Sequence, residues 1–94
     1  MSDDLDVLRA QIDYIDARLI SLLGRRFKLT RRVGLLKANS GLASLDASRE
    51  QAQDERYAEL AATADIDANM VRQVFDDVRA TVRHEHEMVD GRAQ

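Results

Sequence analysis

The longest regular pattern in the chain extends through Leu5–Leu36, which reads LDVLRAQIDYIDARLISLLGRRFKLTRRVGLL. Its apolar residues follow at alternating steps of three and four, with one member missing at position 26, which is the spacing of a heptad seam on one α-helix. The seam consists of Leu5, Leu8, Ile12, Ile15, Leu19, Leu22, Leu29, Val33 and Leu36. A helix over about 4–38 is about 50 Å long, more than a compact domain of this size can cover. We therefore expect the seam to meet another chain.

The end of this helix and the start of a second one are marked by capping residues. Asn39–Gly41 carry the turn-forming side chains that end a helix, and Leu42–Leu45 form a short connection. Asp46 and Ser48 both suit the next N-cap, because their side-chain oxygens accept hydrogen bonds from free backbone N–H groups. The alanine-rich sequence that follows predicts a second helix over about 47–64.

A third helix is predicted over about 67–89. Asp67 offers its N-cap, and apolar residues recur at helical spacing as far as His86. The tail 90–94 is polar, and we expect it to fray. With no proline and four glycines in 94 residues, few positions interrupt a helix and no β-hairpin signal occurs. The sequence therefore predicts an all-α fold and a single domain over 1–94.

Composition excludes several classes of protein. The chain is 45% hydrophobic and 33% charged, typical of a folded domain, and has no run of about 20 apolar residues that would cross a membrane. The absence of cysteine excludes disulfides, thiol catalysis and thiolate metal sites. His84 and His86 cannot share a helix face, so we expect no metal site. The N-terminal sequence lacks the features of a secretory signal, and we expect a cytoplasmic protein.

Positive charge is concentrated in one section of the first predicted helix. Residues 24–37 include six Arg and Lys side chains and no acid, in a chain of net charge −3. Arg26 stands at the missing position of the seam, where an unpaired buried charge costs several kcal/mol, so an anion should meet it. Lys37 lies on nearly the same helix face as Arg26, about 16 Å further along the axis. Arg26 and Lys37 could together hold one small anion. Alternatively, Arg26 could pair with a carboxylate of another helix or set the register of the seam.

Three further residues are candidates for a binding site, and each also has a structural explanation. Glu50 suits the dipole of a first helical turn, whereas Arg49 beside it is disfavoured unless an anion lies near; the two could also form a surface ion pair. His86 continues an apolar stripe, where a histidine is usually a core or interface residue. We find no trustworthy catalytic triad, glycine-rich phosphate loop or P-loop. The cations are suited to clamping a small dicarboxylate, which serves reactions that need orientation and charge stabilisation.

Four segments, taken in order, resemble the all-helical, AroQ-type chorismate mutases. They are LRAQIDYID at 8–16, LLGRR at 22–26, VGLLK at 33–37 and LDASRE at 45–50. The resemblance covers about 5–88. It implies an intertwined homodimer of three-helix protomers, a six-helix bundle in which both chains build each active site. It also implies a Claisen rearrangement of chorismate to prephenate, without cofactor or covalent intermediate, in the biosynthesis of phenylalanine and tyrosine.

The resemblance implies roles for three cations of the first helix. Arg9 would come from the partner protomer and Arg26 from the same chain, together holding the carboxylates of the substrate. The two arginines lie about 25 Å apart on one helix, too far to grip one small molecule from a single chain. Lys37 would bind a carboxylate and the ether oxygen, whose negative charge grows as its bond to carbon breaks.

The second helix would supply the other polar residues of the site. By the same resemblance, Arg49 lies near the substrate, Glu50 accepts a hydrogen bond from the ring hydroxyl, and the backbone of Asp46 lies beside that hydroxyl. Glu50 therefore favours a hydroxylated ring over the chemistry of two close relatives with the same scaffold. These alternatives are the isochorismate-pyruvate lyases and the 4-amino-4-deoxychorismate mutases.

The third helix departs from the family pattern at two positions. On an ungapped alignment, His86 stands where the family usually has Gln or Glu, the second donor to the ether oxygen, and Val82 stands where some members have Ser. An imidazole N–H can donate a hydrogen bond in either protonation state. A shift of one residue would instead present Glu85 or Glu87, and a carboxyl group donates only when it is protonated, which requires a raised pKa.

Two further possibilities concern partners other than the dicarboxylate substrate. The chain could be a helical binding module, not an enzyme, whose section Arg25–Lys37 contacts nucleic acid. The net charge of −3 and the burial expected for Arg26 argue against nucleic acid, and we expect no membrane partner. Some short members of the family are activated by docking onto DAHP synthase, the first enzyme of the shikimate pathway, and the resemblance leaves room for this partner.

Overall fold

The computed structural model describes residues 2–41 and 46–93, with side chains at 3–41 and 46–88. It contains three helices, which are α1 (Ser2–Ser40), α2 (Ala47–Ala64) and α3 (Ala68–Ala93). No strand occurs among these residues, and the predicted all-α fold with a long first helix is confirmed. The predicted connection Leu42–Leu45 lies outside the described residues. No helix among the residues that the structure describes combines the length and the apolar character needed to cross a membrane.

Helix α1 extends two residues beyond its predicted end. Asp3 and Asp4 lie in its first turn and Lys37 lies in its last turn, where each charge interacts favourably with the helix dipole. The helix is followed by Gly41, whose φ of 72° is a left-handed conformation that costs glycine little. The Gly41 N–H donates to the Ala38 carbonyl at 3.3 Å, which closes the last turn.

Helix α2 is bounded by two aspartates. Of the two N-cap candidates, Asp46 is the cap: its Oδ1 accepts hydrogen bonds from the Arg49 backbone N–H at 3.0 Å and from the Ser48 hydroxyl at 2.9 Å. At the other end, Asp65 adopts a left-handed conformation with φ of 58° and donates its N–H to the last turn. These bonds satisfy backbone groups that a helix end otherwise leaves free, so they define where α2 starts and stops.

Helix α3 starts where the sequence predicts and ends later. Asp67 Oδ1 accepts a hydrogen bond from the Asn69 N–H at 2.8 Å, which caps the first turn. The helix continues through Ala93, four residues beyond its predicted end at about 89, and fraying of the tail remains a prediction. This segment contains one glycine and no proline, so every residue in it keeps the backbone N–H that a helix requires.

The chain divides into two compact units, Met1–Thr30 and Arg31–Gln94. The described residues of the first unit are a single length of α1. The apolar residues of the seam are exposed to water along this length: 57, 55 and 54% of the surface of Leu8, Ile12 and Leu19 is accessible. Most of the stability of a protein helix comes from packing of its apolar face, so this length of α1 needs a further surface to cover it.

The second unit contains the end of α1 together with α2 and α3, and its apolar core lies between α2 and α3. The rings of Tyr57 and Phe75 stack with their centroids 4.1 Å apart. Ala61 of α2 and Val78 of α3, which lie a few residues after Tyr57 and Phe75 in the sequence, are also buried. An aromatic pair of this kind contributes about 0.5–1.5 kcal/mol beyond its buried area. This packing holds α3 against α2.

A buried arginine adds a polar link between α2 and α3 that the sequence did not predict. Arg79 donates a hydrogen bond from Nη2 to Asp54 Oδ1 at 2.7 Å, and its guanidinium carbon lies 5.3 Å from the centre of the Tyr57 ring. Burial acts to lower the pKa of Arg79, but the hydrogen bond and the negative charge of Asp54 outweigh it and raise that pKa. The guanidinium is therefore a charged and paired component of the helix contact.

Candidate active site

Two of the eight predicted site residues lie in the first unit. Arg9 is exposed on α1, and Arg26 is partly buried at its position in the seam. The other six lie in the second unit, and they are Lys37, Asp46, Arg49, Glu50, Val82 and His86. In the second unit, the end of α1, the first turn of α2 and the last part of α3 contribute these side chains.

Lys37 and the first turn of α2 interact electrostatically. The pKa of the Asp46 carboxyl is lowered, first by the hydrogen bond from the Arg49 backbone N–H and then by that from the Ser48 hydroxyl. Desolvation has the next-largest effect and raises the pKa, while the positive charges of Lys37 and then of Arg49 make smaller contributions that lower it. Asp46 thus accepts a hydrogen bond from the Arg49 backbone and interacts electrostatically with Lys37 from the end of α1.

Glu50 forms an ion pair with a residue of α3. Arg83 donates a hydrogen bond from Nη1 to Glu50 Oε1 at 3.0 Å, and the two side chains are exposed by 43 and 29%. An ion pair between Glu50 and its neighbour Arg49 is one expectation from the sequence, but the structure pairs Glu50 with Arg83. Arg83 was not among the predicted site residues; the available signal is its position one residue after Val82 and three before His86.

The ring of His86 lies directly against Gly34 of α1. His86 is only 6% exposed. A Cβ atom placed on Gly34 would lie 2.5 Å from His86 Cδ2 and 2.7 Å from Nε2, closer than real Cβ contacts. The absence of a side chain at position 34 is therefore what allows the imidazole to approach the backbone of α1.

The residues on either side of His86 point elsewhere. Glu85 accepts a hydrogen bond from Arg31 Nε at 2.8 Å, and Glu87 is exposed. Val82, one turn before His86, is partly buried. Of the three candidate donors, His86 is therefore the one that is buried against α1.

Lys37 and Arg49 are two of the cations that form no ion pair among the described residues of this region. Within residues 46–88 and the described part of α1, Glu50 and Glu85 are each paired with an arginine, whereas Lys37 and Arg49 form no ion pair. Lys37 is partly buried and Arg49 is exposed. A partly buried ammonium and a guanidinium beside a carboxylate can bind a small anion that also carries a hydroxyl group. No group of three or more metal-ligating side chains forms among the residues the structure describes.

Comparison with known proteins connects this arrangement to one family. Residues 8–87 match the family described as Chorismate mutase type II. The chain is 39% identical over 57 residues to the intracellular chorismate mutases of Mycobacterium tuberculosis and Mycobacterium bovis, covering 61% of this chain and 54% of the relative. To the intracellular chorismate mutase of Mycolicibacterium smegmatis it is 37% identical over 54 residues, covering 57 and 52%. The chain thus spans about half the length of the curated relatives it matches.

Replacing Gly34 with alanine tests the contact with His86. A Gly-to-Ala change inside a helix normally stabilises a protein by up to about 1 kcal/mol. We expect Gly34→Ala instead to lower the thermal unfolding midpoint, measured by circular dichroism, because its Cβ displaces the buried imidazole. Gly24→Ala is the matched control, since a Cβ there meets no atom within 4 Å, and it should stabilise.

The same experiment in a His86→Ala background isolates the cause. Without the imidazole, we expect Gly34→Ala to become stabilising, as at Gly24. A higher unfolding midpoint for Gly34→Ala with His86 present would contradict the observed contact.

Proposed function

The chain belongs to the type II chorismate mutase family, and we propose that it catalyses the rearrangement of chorismate to prephenate. In this reaction the enolpyruvyl group migrates across the ring as one carbon–oxygen bond breaks and one carbon–carbon bond forms. No atom is gained or lost, and neither a proton donor nor an oxidant is required. A protein can accelerate such a step by holding the substrate in a reactive conformation and by stabilising the charge that develops.

The observation that supports this proposal most strongly is the electrostatic interaction of Lys37 and Arg49 with the first turn of α2, where Glu50 lies. Lys37 and Arg49 are available to carboxylates of the substrate, while Glu50 can accept a hydrogen bond from its ring hydroxyl. Lys37 also binds the ether oxygen in this proposal, and this interaction strengthens as the carbon–oxygen bond breaks. It is therefore the contact that contributes most to turnover.

His86 provides the second donor to the ether oxygen in this proposal, from the face of α3 that meets Gly34. The family usually has Gln or Glu at this position, and an imidazole N–H replaces that donor. Val82 contributes an apolar wall one turn earlier, and the backbone of Asp46 lies beside the ring hydroxyl. Burial of His86 supports this role because a donor shielded from water interacts more strongly with a developing negative charge.

We propose that the active protein is a homodimer in which the seam of α1 is covered by a second copy. The exposed leucines and isoleucines of the first unit support this. Arg26 then grips the substrate from the same chain as Lys37, and Arg9 comes from the partner protomer. The two arginines are too far apart along one helix to reach the same small molecule from one chain.

Glu50 favours chorismate over the substrates of two related enzyme classes. An isochorismate-pyruvate lyase or a 4-amino-4-deoxychorismate mutase would use the same cations, but these relatives often lack the Arg-Glu pair that this sequence has at Arg49 and Glu50. Incubating the purified protein separately with chorismate, isochorismate and 4-amino-4-deoxychorismate, and identifying each product, distinguishes the three activities. We expect prephenate from chorismate as the main product.

The proposal places the reaction in the synthesis of phenylalanine and tyrosine in the cytoplasm. DAHP synthase, the first enzyme of the shikimate pathway, is a possible activating partner in this setting. Measuring prephenate formation with and without purified DAHP synthase tests that part of the proposal. Faster turnover with DAHP synthase would support activation by docking, and equal rates would contradict it.

Replacing Lys37 with alanine tests the role of the ammonium group. We expect kcat for prephenate formation to fall by about 100- to 1,000-fold, the loss typical of one donor to a developing charge. Lys28→Ala is the matched control, because Lys28 is an exposed lysine of the same cationic section of α1. Helical content by circular dichroism should stay unchanged in both variants. Unimpaired turnover in Lys37→Ala would contradict the mechanism.

Mixing two inactive variants tests whether each site draws on both chains. Arg9→Ala and Lys37→Ala subunits, unfolded together and refolded at equal concentration, should regain about a quarter of wild-type activity, because half of the dimers are mixed and one of their two sites is intact. Arg26→Ala mixed with Lys37→Ala is the control and should stay inactive, since both residues come from the same chain. Recovery in both mixtures, or in neither, would contradict the shared site.

A further inference from the structure

Arg83 is a charged residue of α3 that contacts the proposed active site but was not among its predicted members. Its guanidinium donates from Nη1 to Oε1 of Glu50 at 3.0 Å across the contact between α2 and α3. Glu50 is the residue assigned to the ring hydroxyl of the substrate. Arg83 thus acts on the proposed site through another side chain.

The ion pair occupies one of the two oxygens of the Glu50 carboxylate. Among the described residues, Glu50 Oε1 accepts from Arg83, and no hydrogen bond to Oε2 is formed. A glutamate side chain rotates about several bonds, so an anchor on one oxygen reduces the orientations available to the other. The second oxygen is thereby presented for a hydroxyl group.

The pair also balances charge where an anion has to bind. A bare Glu50 carboxylate would repel a doubly negative substrate held by Lys37 and Arg49. Arg83 offsets this repulsion while leaving the carboxylate able to accept a hydrogen bond. The effect should weaken as salt screens the charges.

A purely structural role explains the pair less well. α2 and α3 are already joined by the Tyr57–Phe75 stack and by the buried Arg79–Asp54 hydrogen bond. The side chain of Arg83 is 43% exposed, and an ion pair as exposed as this one adds little to the stability of a fold. Its position beside the proposed substrate hydroxyl is the feature that distinguishes it from other surface pairs.

We propose that Arg83 is a positioning residue that orients the Glu50 carboxylate toward the ring hydroxyl of the substrate and neutralises its charge toward the substrate carboxylates. This proposal rests on the proposed function. Its consequence is that Arg83 matters for catalysis only while Glu50 is a carboxylate.

A double-mutant cycle tests this dependence. We expect Arg83→Met to lower kcat/KM for chorismate by about 10-fold, mainly through a higher KM at low salt, and Arg83→Lys to recover part of the loss, because lysine keeps the charge without the planar fork. In a Glu50→Gln background, Arg83→Met should change kcat/KM by less than about twofold. Binding of prephenate, followed by titration calorimetry, repeats the cycle without requiring turnover.

The matched control is Arg56→Met, which removes an exposed ion pair with Glu59 at 3.2 Å on α2. It should leave kcat/KM and prephenate binding unchanged, and all variants should keep the helical content of the wild type. Normal kcat/KM in Arg83→Met, or an equal loss with and without Glu50, would overturn the positioning role alone. No conversion of chorismate by the wild-type protein would overturn the proposed function, and this role with it.

Discussion

The length of α1 in the first unit presents an apolar face that is exposed to water. Burying a leucine or isoleucine contributes about 1.5–3 kcal/mol, so covering a row of them is a large source of stability. Arg26 interrupts this row, and burial that stabilises the helix also desolvates the guanidinium. In a drier environment its attraction for a carboxylate is stronger. Association and substrate binding would thus depend on the same surface.

The second unit arranges the remaining polar side chains through the packing of α2 and α3. The Tyr57–Phe75 stack and the Arg79–Asp54 hydrogen bond hold these helices together. The N-cap at Asp46 sets where α2 begins, which places Glu50 in its first turn. As a result, Arg83 of α3 contacts Glu50 in the first turn of α2, and His86 of α3 contacts Gly34 near the end of α1.

Local signals in the sequence were sufficient for the fold but not for the pairing of charges. The seam and the capping residues predict the three helices because caps and apolar spacing act within a few residues, and Asp46, Asp67 and Gly41 do cap or end helices. The Glu50–Arg83 pair depends on how α2 and α3 rotate against each other, which the spacing along one helix does not determine. The contact between His86 and Gly34 could not be predicted for the same reason. A glycine inside a helix indicates that another group packs closely there, but it does not identify that group.

Sedimentation equilibrium of the purified chain at micromolar concentrations tests most directly whether a second copy covers α1. We expect a particle of about twice the 10.6 kDa of one chain, and a thermal unfolding midpoint that rises with protein concentration, because association stabilises only the folded state. A folded single chain of 10.6 kDa, with an unfolding midpoint independent of concentration, would contradict the claim.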